Sequence, residues 1–174
     1  MIRKIGILGS GTMGHGIAEV FALYGYDVKL YDNNETVLNK AKEKITQELA
    51  LMVEEDFIPG DAVQETLDRI ITCTDLRETV QDRDYVIEAV PEIMELKQEL
   101  FRQLDEYCPP ATILASNTSS LPLAGMMSLV SPARRQRMMV NHWYNPAHLM
   151  PLVELSFFGN MPADIYAEVE AMYR

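Results

Sequence analysis

A chain of 174 residues, 48% of them hydrophobic, can bury one sizeable core and leaves little for a second domain. Its net charge of −11 repels nucleic acid and anionic membranes over most of the surface, which argues against both as partners. Two cysteines, Cys73 and Cys108, are too few for a disulfide framework and lack metal-ligand spacing, so no metal site is expected. No run of ~18 apolar residues could span a bilayer, and the N-terminus carries no signal or transit pattern, so a cytoplasmic protein is expected.

In chain order, a strand at Lys4–Leu8 runs directly into the glycine turn GSGTMGHG and a helical stretch at Thr12–Leu23. Gly9, Gly11 and Gly14 form G-x-G-x-x-G, with Thr12 and Met13 inside the turn. Alone, such a match is as consistent with a tight turn as with a nucleotide site. Its position between strand and helix makes it more specific: the first glycine permits the turn, the second lets a pyrophosphate approach, and the third lets helix and strand pack. A second strand, Asp27–Tyr31, leads to Asp32, eighteen residues after Gly14, where a carboxylate can take both hydroxyls of an adenosine ribose. Helix N-capping is the competing role for that Asp. Asn33 and Asn34 offer no cation to a 2′-phosphate, so NAD is favoured over NADP.

The helical run Asn34–Val53 stops before Pro59-Gly60 and is followed by a second helical stretch, DAVQETLDR, which predicts an excursion away from the sheet. Lys40, Lys42 and Lys44, set against Glu35, Glu43 and Glu48, read as a solvated charged face. Strands are then predicted at Arg69–Thr72, Tyr85–Val90, Thr112–Ala115, Arg137–Asn141 and Leu152–Phe158, with helices at Leu96–Tyr107 and Leu121–Leu129. Strand alternating with helix implies a doubly wound α/β domain of Rossmann type, with a mostly parallel sheet covered on both faces.

Pro146 and Pro151 prevent Asn141–Leu155 from forming one helix, so the chain must fold back there. Val153, Leu155 and Phe157 share one face of the last strand and Glu154 takes the other, where it can return beside His142. An imidazole oriented by a buried carboxylate can accept a proton at physiological pH, and a structural histidine beside an unrelated Glu is the competing reading. His15 reads as a surface residue of the first helical turn and His148 as loop surface. The chain stops at MPADIYAEVEAMYR, whose helical spacing meets neither Gly nor Pro, so a further C-terminal region is expected.

Together, GSGTMGHGIA, VIEAVPEIMELKQELF, ASNTSSL and HWYNPAHLMPLVEL resemble the NAD-binding domain of the L-3-hydroxyacyl-CoA dehydrogenase family over nearly the whole chain. The resemblance implies His142 as the base that takes the substrate hydroxyl proton, Glu154 as its orienting carboxylate, and NAD as cofactor. It also implies that Ser119 and Asn145 contact the nicotinamide end and the reacting oxygen, and that Glu92 and Lys97 hold the nicotinamide-side ribose. Glu92 could instead favour a helix dipole and Lys97 could be an exposed helix residue. An acyl-CoA substrate, a helical C-terminal domain completing the cleft and a homodimer built through that domain are further implications. PE with ELK, and PLVEL, also resemble relatives acting on free hydroxy acids, whereas Asn117, Ser120 and Trp143-Tyr144 favour the acyl-CoA enzymes. No residue of the excursion could be matched to CoA.

Overall fold

The first strand, β1 (Lys4–Leu8), has four of its five residues buried, because both of its faces are covered. Side chains alternate along it. Ile5 and Ile7 join one core and Leu8 the other, and the same alternation places Ile87 and Val86 of β4 (Tyr85–Glu88) on opposite faces. In this computed structural model, which describes residues 1–174, β1 is central in a seven-stranded sheet. With β2 (Asp27–Tyr31), β3 (Ile70–Cys73), β5 (Ile113–Ser116), β6 (Met138–Trp143) and β7 (Val153–Ser156), the order is β3-β2-β1-β4-β5-β6-β7. All neighbours pair in parallel except β6 and β7, which are antiparallel. The order reverses between β1 and β4, and loops leaving adjacent strands there diverge to opposite faces and open a crevice.

On one face lie α1 (Gly14–Leu23), α2 (Glu35–Glu54) and α3 (Ala62–Asp68). Leu38, Ala41, Ile45 and Leu49 form the buried stripe of α2 at helical spacing, while Lys40, Lys42 and Lys44 are exposed as anticipated. The Asn34 side chain caps α2 by accepting the Thr36 N–H at 2.9 Å. The helical excursion is therefore α2, a turn and α3. The opposite face carries α4 (Leu76–Val80), α5 (Met94–Tyr107) and α6 (Leu123–Met126), with Leu100, Phe101 and Leu104 of α5 packed on Val86, Leu114 and Met138. A short α7 (Pro132–Arg135) precedes β6. The terminal helical pattern forms α8 (Ala163–Met172), and Tyr173 beyond it stacks edge-on against Phe21 and Trp143 at 5.9 and 5.7 Å. No helix is long and apolar enough to cross a membrane.

Several boundaries differ from expectation. β4 ends at Glu88 rather than Val90, because after the Ala89 amide bonds the Leu8 carbonyl the Val90 amide is taken by the Glu88 carboxylate. β6 continues past Asn141 to Trp143, since its pairing with β7 extends to Trp143 and Val153. β7 is shorter than Leu152–Phe158, and Phe158 has left the strand with φ of 51°. The helix anticipated over Leu121–Leu129 divides into α6 and a 3₁₀ turn at Met127–Leu129. Helices α4 and α7 went unanticipated. Each is a single turn capped by a side chain, Asp75 or Ser131, and is too short to show periodicity.

Candidate active site

The glycine turn starts where β1 ends. Gly9 has φ of +95°, and a Cβ there would approach the Ala89 carbonyl oxygen to 2.7 Å, so this backbone crosses the end of β4 at a distance only glycine allows. A Cβ on Gly14 would fall 1.7 Å from the Gly9 carbonyl oxygen, which fixes how closely α1 starts against the strand end. At Gly11 a Cβ would meet nothing within 4 Å, so this part of the turn faces open space. The amides of Gly11, Thr12 and Met13 make no hydrogen bond within the protein and stand at the N-terminus of α1. Free donors, a positive helix end and an uncrowded approach make a cradle that fits the pyrophosphate of a dinucleotide.

Asp32 closes β2 beside this turn. Its Oδ2 accepts both the Ser10 N–H and the Ser10 O–H at 3.0 Å, and its Oδ1 accepts the Asn34 N–H at 3.1 Å. Since Asn34 caps α2, Asp32 is not the cap. Its carboxylate is instead locked to the glycine turn, with lone pairs to spare for hydroxyl donors.

Across the crevice, a cleft of about 300 Å³ is bounded by Thr12 and Met13 on one side and by Ala89 to Glu92 on the other, with Lys97 and Asn117. Lys97 is 1% exposed and so is not the exposed helix residue weighed above. Its Nζ lies 2.6 Å from Glu88 Oε1 and 3.1 Å from Glu92 Oε2. Glu88, 0% exposed, also accepts the Val90 N–H at 2.8 Å and the Ser116 O–H at 2.6 Å. Burial raises the Glu88 carboxyl above its ordinary range while the Lys97 charge pulls it down. Glu92 accepts from the Thr118 hydroxyl and, at 3.3 Å, from Ser120; these bonds and the ammonium outweigh desolvation and hold it low. Glu88, Ser116 and Thr118 were absent from the sequence-based set. Glu88 could have been found as the lone acid closing an apolar strand. A larger hollow of about 450 Å³ lies between Met1–Arg3 and α8, away from the glycine turn and from every candidate residue.

His142 and Glu154 are register partners across β6 and β7, so their side chains leave the same face of the sheet. Nδ1 lies 2.8 Å from Glu154 Oε2. With Nδ1–H donated to the carboxylate, the neutral ring keeps a lone pair on Nε2. The expected buried carboxylate is corrected here. The Glu154 side chain is 60% exposed and that of His142 24%, because β7 is the sheet edge and nothing in the chain covers its outer face. The His142 hydrogen bond, followed by one from Tyr144, nonetheless holds the Glu154 carboxyl below its ordinary range. Asn117 Oδ1 accepts the Trp143 N–H at 2.8 Å, tying the end of β6 to the loop after β5. Ser119 and Asn145 are exposed, and neither side chain is engaged in a hydrogen bond.

Two histidines are placed differently from expectation. His15 is buried, with Nδ1 2.6 Å from the Gly11 carbonyl oxygen and Nε2 3.3 Å from Glu48 Oε2. His148 is tucked between the helices with Nδ1 3.8 Å from the same oxygen. The glycine-rich start of α1 admits the β6–β7 loop onto the helix, and so both rings leave the surface.

Residues 4–173 match the family described as 3-hydroxyacyl-CoA dehydrogenase, NAD binding domain. The chain is 38% identical over 154 residues to a probable 3-hydroxybutyryl-CoA dehydrogenase of Bacillus subtilis, covering 88% of this chain and 53% of the relative. It is likewise 38% identical over 160 residues to the mitochondrial hydroxyacyl-coenzyme A dehydrogenase of Mus musculus, covering 89% and 50%. The crystal structure of 3-hydroxybutyryl-CoA dehydrogenase from Escherichia coli K12 superposes with a TM-score of 0.94 at 35% identity, covering 99% of this chain and 36% of that one. The chain thus spans about a third to a half of the curated relatives it matches.

Proposed function

This chain belongs to the 3-hydroxyacyl-CoA dehydrogenase family as its NAD-binding domain, and we propose that it serves the NAD-dependent oxidation of an L-3-hydroxyacyl-CoA to the 3-ketoacyl-CoA, and the reverse. The observation that carries this reading is the His142–Glu154 hydrogen bond at the end of the sheet where the glycine turn also opens. The amides of Gly11, Thr12 and Met13 would hold the pyrophosphate of NAD, Asp32 the adenosine ribose, and Glu92 with Lys97 the ribose on the nicotinamide side. When bound, the nicotinamide accepts the hydride that leaves C3 of the substrate. His142 Nε2 takes the proton of the 3-hydroxyl as the C–O bond becomes a carbonyl, and Glu154 stabilises the resulting imidazolium. Ser119 and Asn145 would donate to the reacting oxygen without titrating. In the reverse direction the imidazolium returns its proton.

By resemblance to the family, a helical second domain would close the far side of the cleft and form a homodimer, and the greater length of the relatives supports that expectation. The free thiols Cys73 and Cys108 support a reducing compartment such as the cytoplasm. The reading is tested in the polypeptide that carries both domains. His142→Ala and Glu154→Gln should each lower kcat for acetoacetyl-CoA reduction by about 10²–10⁴ while the NADH dissociation constant stays near wild type. Near-normal turnover in either variant removes the dyad from the mechanism. Turnover of gulonate or carnitine in place of the acyl-CoA removes the substrate class.

A further inference from the structure

Away from the cleft, four side chains converge where the β6–β7 loop lies on α1 and α2. His15 and Glu19 are one turn apart on α1, Glu48 comes from the last turns of α2, and His148 arrives from the loop. The loop rests on Gly16, where a Cβ would be 3.2 Å from Ala147 Cβ and 3.9 Å from His148 Nδ1.

The cluster has acceptors and almost no donors. Glu19 is fully buried, and neither of its carboxylate oxygens has a hydrogen-bond partner. Glu48 Oε2 and His148 Nδ1 are buried and unpartnered as well. His15 gives its Nδ1–H to the Gly11 carbonyl, so a neutral ring turns the Nε2 lone pair toward Glu48 Oε2. The nearby ammonium, Lys44, reaches the other Glu48 oxygen at 3.6 Å from the solvent side. Two carboxylates crowded against imidazole nitrogens in a dry site are costly unless a proton or a metal cation sits among them. One donor atom each from Glu19, Glu48 and His148 lies within 4.8 Å of the others.

We propose that Glu19, Glu48 and His148 form a binding site for a divalent first-row transition-metal ion, of which Zn²⁺ is the probe, and that the ion fastens the β6–β7 loop to α1 and α2. Two carboxylates and an imidazole are the donor chemistry of such ions, whereas Ca²⁺ takes six or more oxygens and Mg²⁺ keeps its water. Ligand distances of about 2.0–2.2 Å require the three donors to draw inward by less than about 1 Å, with His15 Nε2 as a further nitrogen beside Glu48. The competing occupant is a proton, because burial and the Glu48 carboxylate push Glu19 well above the carboxylate range when no metal is present. The fastened segment, Tyr144 to Leu152, joins His142 to Glu154, so the ion would hold the loop that bears Asn145.

The test is calorimetric titration of metal-free protein with ZnCl₂, with Co²⁺ absorption as a second probe. One ion per chain should bind with a dissociation constant of about 1 μM or tighter, and Co²⁺ should give visible d–d bands. Glu19→Gln and His148→Ala, each confirmed as folded by circular dichroism, should weaken Zn²⁺ at least ~10-fold. Cys73→Ser should keep wild-type affinity, which separates this site from adventitious thiolate binding. Absence of saturable binding to the wild type overturns the proposal, as does unchanged affinity in both ligand variants. A buried carboxylic-acid infrared band that Zn²⁺ leaves in place would identify the proton as the occupant instead.

Discussion

Replacing Lys97 by Met removes the ammonium that balances Glu88 and keeps a side chain of similar length. In the wild type the pair is 2.6 Å apart with 1% and 0% of the side chains exposed, so water cannot take over the role of the lost charge. Glu88 would keep only the Val90 N–H and the Ser116 hydroxyl, two neutral donors. Breaking one side of such a pair costs about 3–5 kcal/mol, mostly from the carboxylate left behind. The sign of the pH dependence follows from burial, which already holds the Glu88 carboxyl above its unfolded value and is no longer opposed by Lys97 in the variant. A raised carboxyl is best tolerated while protonated, so stability is greatest below the unfolded value and is lost as pH rises through the folded one. Urea denaturation should thus show a smaller loss at pH 5 than at pH 8. Adding Glu88→Gln should recover most of it, because the amide oxygen can still accept while the buried charge is gone. A Lys97→Met protein within about 1 kcal/mol of wild type at pH 8 would contradict the argument that this pair is dry and interdependent.

The glycine turn should separate structure from binding. Gly11→Ala, whose Cβ meets nothing, should leave thermal stability within about 0.5 kcal/mol yet weaken NADH at least ~10-fold by fluorescence titration, whereas Gly14→Ala should cost more than ~2 kcal/mol because its Cβ runs into the Gly9 carbonyl. The opposite ranking would dismiss the cradle. With Asp32 intact, NAD(H) should bind at least tenfold tighter than NADP(H), about 1.4 kcal/mol, and Asp32→Ala should narrow that gap in calorimetry; equal affinities in the wild type would remove Asp32 from the ribose site. Cys108 is buried, which pushes its thiol up to about 12, so iodoacetamide at pH 8 should label the partly exposed Cys73 and reach Cys108 only in denaturant, as read by peptide mass.

The strands, the glycine turn, Asp32 and the His142–Glu154 pairing were legible because each rests on a local pattern. Short stretches that are apolar or alternate apolar with polar residues mark the strands, glycines occupy fixed offsets, and alternation assigns Glu154 to the face opposite Leu155. The lysine–glutamate cluster was only half visible. Glu92 and Lys97 share a short motif, but Glu88 and Ser116 join them only because β4 and β5 pair in a register that sets Glu88 against Ser116. His15 and His148 were misplaced for the same reason. Their partner, Glu48, lies on another helix, and no sequence window spans that contact. A one-turn spacing of His15 and Glu19 on α1 was the available signal, and alone it is indistinguishable from a polar helix face.

The orientation of His142 depends on β7, a four-residue strand at the sheet edge that is paired on one side only. The glycine turn, by contrast, hangs from β1, which is flanked on both sides by parallel strands. On warming, an edge strand frays well before a central one, and a slip of one residue in β7 would carry Glu154 to the other face. Under the proposed reading, holding a dinucleotide and steering a proton would have separate thermal ceilings within one domain, with the second reached first.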